Sequence, residues 1–315
     1  MAAAVGSSHR VPAVAVAVAA GAEVAAVVDV EVAVDSQDLT EVPLIGVGYR
    51  HPLADWILER PESVQCLEIT AEHFFDDGDQ RLAQLAQHFP LFVHGLGLSL
   101  GTPGPLDPQT LANFKRVVDI AKPRWISEHV AFCRSDEVEL GHLNPIPTSK
   151  RSLQTLVDNA RALSDACQRP LILENITTHM SMPGELSETE FLNQLCDKAD
   201  CGLLLDITNL FINARNHKFD PLEWLTQIEL SNVVQLHIVG YSFHDGQWLD
   251  HHGAAIQDEL IELMQHVVAR SPAKAVIVER DAHFPSVEQM AAELVRLEEA
   301  CESARLHHRT HSPAE

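Results

Sequence analysis

The sequence predicts an α/β protein folded as a (β/α)8 TIM barrel, and three observations carry that expectation. Eight short apolar runs recur along the chain. Amphipathic helical stretches separate most of them. Nearly every run ends in a side chain able to bind a metal.

The runs lie at 43–49 (PLIGVGY), 65–70 (QCLEIT), 91–98 (LFVHGLGL), 125–132 (WISEHVAF), 170–176 (PLILENI), 201–207 (CGLLLDI), 233–239 (VVQLHIV) and 275–280 (AVIVER). They are rich in leucine and β-branched residues with little alternation, the pattern of strands covered on both faces. Helical periodicity fills 80–88, 109–121, 151–167, 187–198, 221–229 and 255–269. Eight strand–helix units in one stretch of this length match a barrel. An open dinucleotide-binding sheet is disfavoured, since GVGYRH at 46–51 lacks the GxGxxG spacing.

The barrel is expected over residues 41–300. Residues 1–40 are Ala/Val-rich and read as a flexible extension. Arg10 followed by VPAVAVAVAAGA imitates a secretory signal, but Glu23, Asp29 and Glu31 follow at once. Residues 301–315, which include RLHHRTHSPAE, read as a C-terminal tail. Outside the extension there is no charge-free apolar run of membrane-spanning length, so no membrane partner is expected.

Composition narrows the function. A formal charge of −23, from 45 acidic and 22 basic residues, would repel a phosphate backbone and argues against nucleic acid. It suits a protein in which some carboxylates are neutralised by bound cations. The six cysteines (Cys66, Cys133, Cys167, Cys196, Cys201 and Cys301) show no CxxC spacing. That suggests a reducing, cytoplasmic compartment.

In a barrel, chemistry gathers at the C-terminal ends of the strands. There the sequence supplies Glu68, Glu72 and His73, then His94, then Glu128 and His129. Glu174 and Asn175 follow, then Asp206 and Asn209, His237, Asp250 and His252, and finally Glu279. Taken singly, a strand histidine is more often a satisfied core residue than a ligand, and a single Glu closing a strand is often a salt-bridge partner. Together they resist that reading, because buried charges are costly unless paired and only Arg50 and Arg280 lie near. The set offers nitrogen and oxygen but no sulfur, which fits Fe, Mn or catalytic Zn. It exceeds what one ion can use, so a cluster is expected, with Glu128 or Glu174 able to bridge. His129 beside Glu128 reads either as a proton carrier or as support for a ligand.

The segments GVGYR, LEITAEHFF, FVHGLGLSLG, SEHVAF, LLLDITN, NARNHKFDP, LHIVGY, LDHHG and VIVERD resemble the multinuclear non-heme iron-dependent oxidative enzymes. These are methanobactin-biosynthesis-like TIM barrels, distantly akin to xylose-isomerase-like barrels. The resemblance covers about residues 43–296. It implies two or three irons, Fe2+ and Fe3+ together, with dioxygen as co-substrate. The substrate it implies is a Cys-containing precursor peptide made on the ribosome, with its leader held by a separate partner protein. Family ligand positions fall on His94, Glu128, Glu174, Asp206, Asn209, His237, Asp250, His252 and Glu279. The chain departs from the family at two places. The usual R-x-P-H reads Arg50-His51-Pro52-Leu53, and Tyr241 stands where many members have His. One metal position is therefore expected to be weaker.

Two other functions share the pattern. A divalent-metal sugar isomerase or epimerase would use the same barrel, with a Lys or Glu acid–base pair beside two Mn or Mg ions, but the strand ends carry no lysine and aromatic residues for stacking a sugar are few. A non-catalytic metal-binding or partner protein is the other.

Overall fold

Leucine and β-branched residues with scarcely a polar interruption leave a strand nowhere to go except between two apolar layers. In the computed structural model, which describes residues 41–311 apart from 136, 137, 181 and 183, all eight runs become such strands. They are β1 (Leu44–Gly48), β2 (Cys66–Thr70), β3 (Leu91–His94), β4 (Ile126–His129), β5 (Leu171–Glu174), β6 (Gly202–Asp206), β7 (Val233–Ile238) and β8 (Ala275–Val278). They close into a barrel in the order β1-β8-β7-β6-β5-β4-β3-β2. Every neighbouring pair is parallel. The extension expected over residues 1–40 lies outside the described residues.

The helices expected from periodicity form at Asp79–His88, Pro108–Ala121, Lys150–Cys167, Glu188–Ala199, Pro221–Gln227 and Asp258–Val268. Local chemistry starts several of them. Asp107 and Ser149 accept the N–H groups of Thr110 and Ser152, and Ser187 with Glu190 makes a reciprocal capping box.

Four elements go beyond that reading. The helix Ile207–His217 starts on the last residue of β6, with Asp206 as its cap. All of Ile207 to Ala214 is buried, so no polar face betrays its period. Two antiparallel hairpins rise from the mouth. One pairs Phe132–Ser135 with Val138–Asn144, and the other pairs Gly240–His244 with Gln247–Ala254. The closing helix runs Val287–His311, past residue 301, where the sequence reading places the start of a tail. Arg305 anchors it there. This side chain is wholly buried and donates to the carbonyls of Glu41, Val268, Ser271 and Ala273.

Period-two alternation decides what enters the barrel. One apolar cluster outside the sheet joins strands to helices. A second, smaller one draws on seven strands and on Trp125 just before β4: Leu44, Cys66, Phe92, Trp125, Ile172, Leu204, Val234, Ala275 and Ile277. Two residues beyond Cys66, Phe92, Ile172, Leu204 and Ile277, the same face of each strand presents Glu68, His94, Glu174, Asp206 and Glu279. The apolar plug and the polar mouth are successive layers of one pattern.

Candidate metal centre

The mouth gathers three overlapping groups of possible ligands. His94, His129 and Glu174 form the first, and Glu174, Asp206, His237 and Glu279 the second. His252, Glu279 and Asp281 form the third. Glu174 belongs to two groups, as does Glu279, so each carboxylate is placed to bridge.

The distances suit a common ion. His94 Nε2 lies 3.3 Å from His129 Nε2, and each lies 3.4 Å from Glu174 Oε2. His237 Nδ1 is 3.4 Å from Glu174 Oε1 and 3.3 Å from Glu279 Oε2. Ligand atoms held about 2.1 Å from one ion sit roughly 3.0–3.5 Å from one another. Several atoms aimed inward are buried without a hydrogen-bond partner, namely Glu174 Oε2, Asp206 Oδ2 and His237 Nδ1. Such orphans are rare in folded proteins and call for a missing partner. The second group also buries three carboxylates around a single imidazole. A cation answers both problems, and the nitrogen and oxygen donors fit iron.

Charge coupling follows the same geometry. Burial, reinforced by Glu174 and Asp250, pushes the Asp206 carboxyl well up. Burial opposes ionisation of Glu279 too, but His237 and His252 hold it well below the usual carboxylate range. His94 is kept neutral by burial and by His129 and His237. Burial works against charge on His129, yet Glu174 and Glu128 raise it to about 9.

The third group is more open. His252 Nδ1 lies 2.8 Å from Asp281 Oδ2 and 3.8 Å from Glu279 Oε2. Its Nε2 lies 2.7 Å from Asp250 Oδ2. Arg50 already donates to Asp281 and Glu279. A guanidinium in that place competes with a cation for the same two carboxylates, through Asp281 Oδ1 and Glu279 Oε1. Asp281 escaped the sequence reading; the signal available was its spacing, two residues after Glu279 in VIVERD.

Other expected site residues take supporting places outside all three groups. Glu128 Oε1 accepts the Leu98 N–H at 2.9 Å, and its other oxygen accepts the His129 N–H. Glu128 thus ties the loop HGLGLSLG to β4, with Glu72 accepting the Leu96 and Gly97 N–H groups nearby. As a bridging ligand it is misplaced, because the inward residues of β4 are Ser127 and His129. Asn209 spends its side chain on the Asn175 carbonyl and on Thr177. Its N–H is capped by Asp206 Oδ1 at 2.6 Å. Asn175 pins Asp206 in turn through both backbone groups. Asp250 holds His252 through Oδ2, while its Oδ1 is buried without a hydrogen-bond partner.

The two departures from the family pattern also lie outside the groups. Leu53 is buried in the outer apolar cluster. Tyr241 stacks on Phe211 and donates to Glu259. Beside the third group opens a cleft of about 950 Å3, lined by Tyr49, Arg50, His51, His73, Arg81 and Asp281 among others.

A closed parallel barrel with imidazoles and carboxylates at its mouth defines a TIM-barrel protein of the xylose-isomerase-like architecture with candidate metal sites. The chain belongs to the RiPP precursor modification enzyme family MbnB/TglH/ChrH, whose profile matches residues 44–302. It is 30% identical over 280 residues to a UPF0276 protein of Vibrio vulnificus strain YJ016, covering 86% of this chain and 96% of that one. A UPF0276 protein of Pseudomonas aeruginosa strain UCBPP-PA14 is 32% identical over 262 residues, covering 81% and 91%. Among solved structures the fold is similar to endonuclease IV from Thermus thermophilus, with TM-score 0.54 and 15% identity over 83% of this chain and 99% of that one. It is likewise similar to 3-keto-D-glucoside 4-epimerase from E. coli, with TM-score 0.53 and 12% identity over 82% and 99%. Those two show the shared barrel alone. No helix among the described residues is long and apolar enough to cross a membrane.

Proposed function

We propose that the chain is a multinuclear iron-dependent oxidase that uses dioxygen to modify cysteine residues of a ribosomally made precursor peptide. The observation that carries the reading is the pair of buried groups sharing Glu174, with orphaned atoms of Glu174, Asp206 and His237 facing one space. Membership of a peptide-modifying family supplies the substrate class. Sugar isomerisation that relied on lysine for acid–base work would find none among the described residues lining the cleft or the three groups, although glutamates are present.

Iron held there would supply dioxygen activation and a seat for a substrate thiolate. His94, His129 and Glu174 hold one position, and Glu174, Asp206, His237 and Glu279 another. The third group is the weaker, since Arg50 already pairs with its two carboxylates and Asp250 with His252 Nε2. The chain's own contribution is orientation and exclusion of water. Ser127 Oγ lies 2.8 Å from His94 Nδ1 and turns Nε2 toward Glu174. Glu128 fixes the loop over β4 and with it His129. The peptide enters along the cleft beside Asp281, while its leader is captured by a separate partner protein, as the family resemblance implies.

The test pairs the iron-loaded protein with a Cys-containing peptide encoded beside its gene. The expected result is dioxygen uptake matched by a mass change localised to a cysteine. Full iron loading with no uptake against any such peptide favours a non-catalytic metal-binding protein instead.

A further inference from the structure

Beneath the second group, the barrel interior holds a polar column that the ligand count does not use. Trp125, Gln235 and Glu68 are all buried, among apolar neighbours such as Phe92 and Leu204. Trp125 Nε1 donates to Gln235 Oε1 at 2.7 Å. Gln235 Nε2 donates to Glu68 Oε2 at 2.5 Å. Glu68 Oε1 lies 2.8 Å from His237 Nε2.

The direction of every bond in this column is fixed from its far end. An indole N–H can only donate, so it selects the oxygen of the Gln235 amide. The amide nitrogen must then face Glu68, whose carboxylate only accepts. The remaining carboxylate oxygen therefore faces a proton on His237 Nε2. Gln235 Nε2 also lies 3.1 Å from His237 Nε2, but the shorter 2.8 Å contact of that ring nitrogen with Glu68 directs its proton to the carboxylate. A neutral imidazole with its proton on Nε2 has its lone pair on Nδ1. That atom is the buried, unpartnered one between Glu174 and Glu279.

We infer that Glu68 is a positioning residue: with Gln235 and Trp125 it fixes the tautomer and rotation of His237, so that Nδ1 is offered to the ion of the second group. The inference rests on the metal-centre reading above. A buried carboxylate and amide in the middle of an apolar plug are costly unless fully bonded. Carboxylate support of a ligating imidazole is also a recurrent device for raising its basicity.

Glu68→Gln tests it with little change of volume. The new amide cannot accept from Gln235 and from His237 through two oxygens. It either sets two amide nitrogens against each other or donates to His237 Nε2, which moves the ring proton to Nδ1. The double variant Glu68→Gln with Gln235→Glu restores the order. Trp125 then donates to the new carboxylate, which accepts from the amide at position 68, whose oxygen accepts from His237.

Co2+ is the probe, read by its ligand-field absorption, with 15N spectra of the Zn2+-loaded protein reporting which ring nitrogen binds. Glu68→Gln should weaken Co2+ binding at one position about 10–100-fold, the usual effect of losing such support. The double variant should recover most of that loss, and wild-type His237 should bind through Nδ1. Unchanged Co2+ affinity in Glu68→Gln overturns the inference, as does a double variant no better than the single one. Coordination through Nε2 overturns it as well. A wild-type protein that binds no Co2+ overturns the metal-centre reading itself, which separates the two failures. Should Glu68→Gln fail to fold, Trp125→Phe removes only the first donor. It should loosen Co2+ several-fold, and no change there counts against the column.

Discussion

Asp206 shows how one side chain serves two ends. Its carboxylate caps the helix Ile207–His217 through Oδ1, while Oδ2 faces the second group without a partner. Burial beside Glu174 and Asp250 makes that second oxygen a liability in the metal-free protein. Asp206→Asn keeps the cap and removes an ionisable group whose pKa is pushed up to about 8 by burial, Glu174 and Asp250. It should abolish binding at the second position, yet stabilise the metal-free protein by about 1 kcal/mol, read as a higher Tm in chelator. A lower Tm would show that the crowding of carboxylates is already relieved in some other way. The same scale explains what the sequence made legible. His94, Glu174, Asp206, His237 and Glu279 stand on the inward phase of their strands, so a strand-end inventory finds them. Glu128 is out of phase by one residue, and Asn209 is a cap three residues past Asp206. Neither fact is visible until the strand boundaries are known. Asp281 was hidden because an acidic residue after a strand is ordinary surface chemistry.

At the scale of elements, apolar runs of strand length announced all eight strands, since a strand covered on both faces has little room for polar residues. The hairpin Gly240–His244/Gln247–Ala254 was not announced, although it carries Asp250 and His252 to the third group. Its strands are half exposed and mixed in character, so neither period stands out. The closing helix was cut short for a different reason. Its last turns look hydrophilic, and only tertiary contact reveals that Arg305 is interior. Removing that guanidinium leaves four carbonyls short of a donor at the seam between the helix and the start of β1. Arg305→Ala should therefore cost about 3 kcal/mol or more, measured by denaturant unfolding, with metal binding intact at the opposite end of the barrel. A cost below about 0.5 kcal/mol would place the seam's stability elsewhere.

For the whole molecule, a charge of −23 and a mouth crowded with carboxylates favour cations at the candidate sites. Protons compete for the same atoms. Burial tends to keep His129 and His237 neutral, but their carboxylate neighbours raise His129 to about 9 and His237 well above its ordinary value. Each must give up a proton to bind an ion. Metal affinity should accordingly rise with pH from 6 to 8, with proton release seen calorimetrically in buffers of different ionisation enthalpy. A flat profile would mean that these rings are already neutral in the metal-free state.

On the proposed reading, the three overlapping groups at the mouth hold a cluster of ions bridged by Glu174 and Glu279. Elemental analysis of protein loaded with iron under anaerobic conditions, alongside Glu174→Ala, tests it most directly. The wild type should hold two or three irons per chain, one for each occupied group, and Glu174→Ala should lose those of both groups it joins while the barrel stays folded. Less than one iron in the wild type, or full loading in Glu174→Ala, would contradict the account.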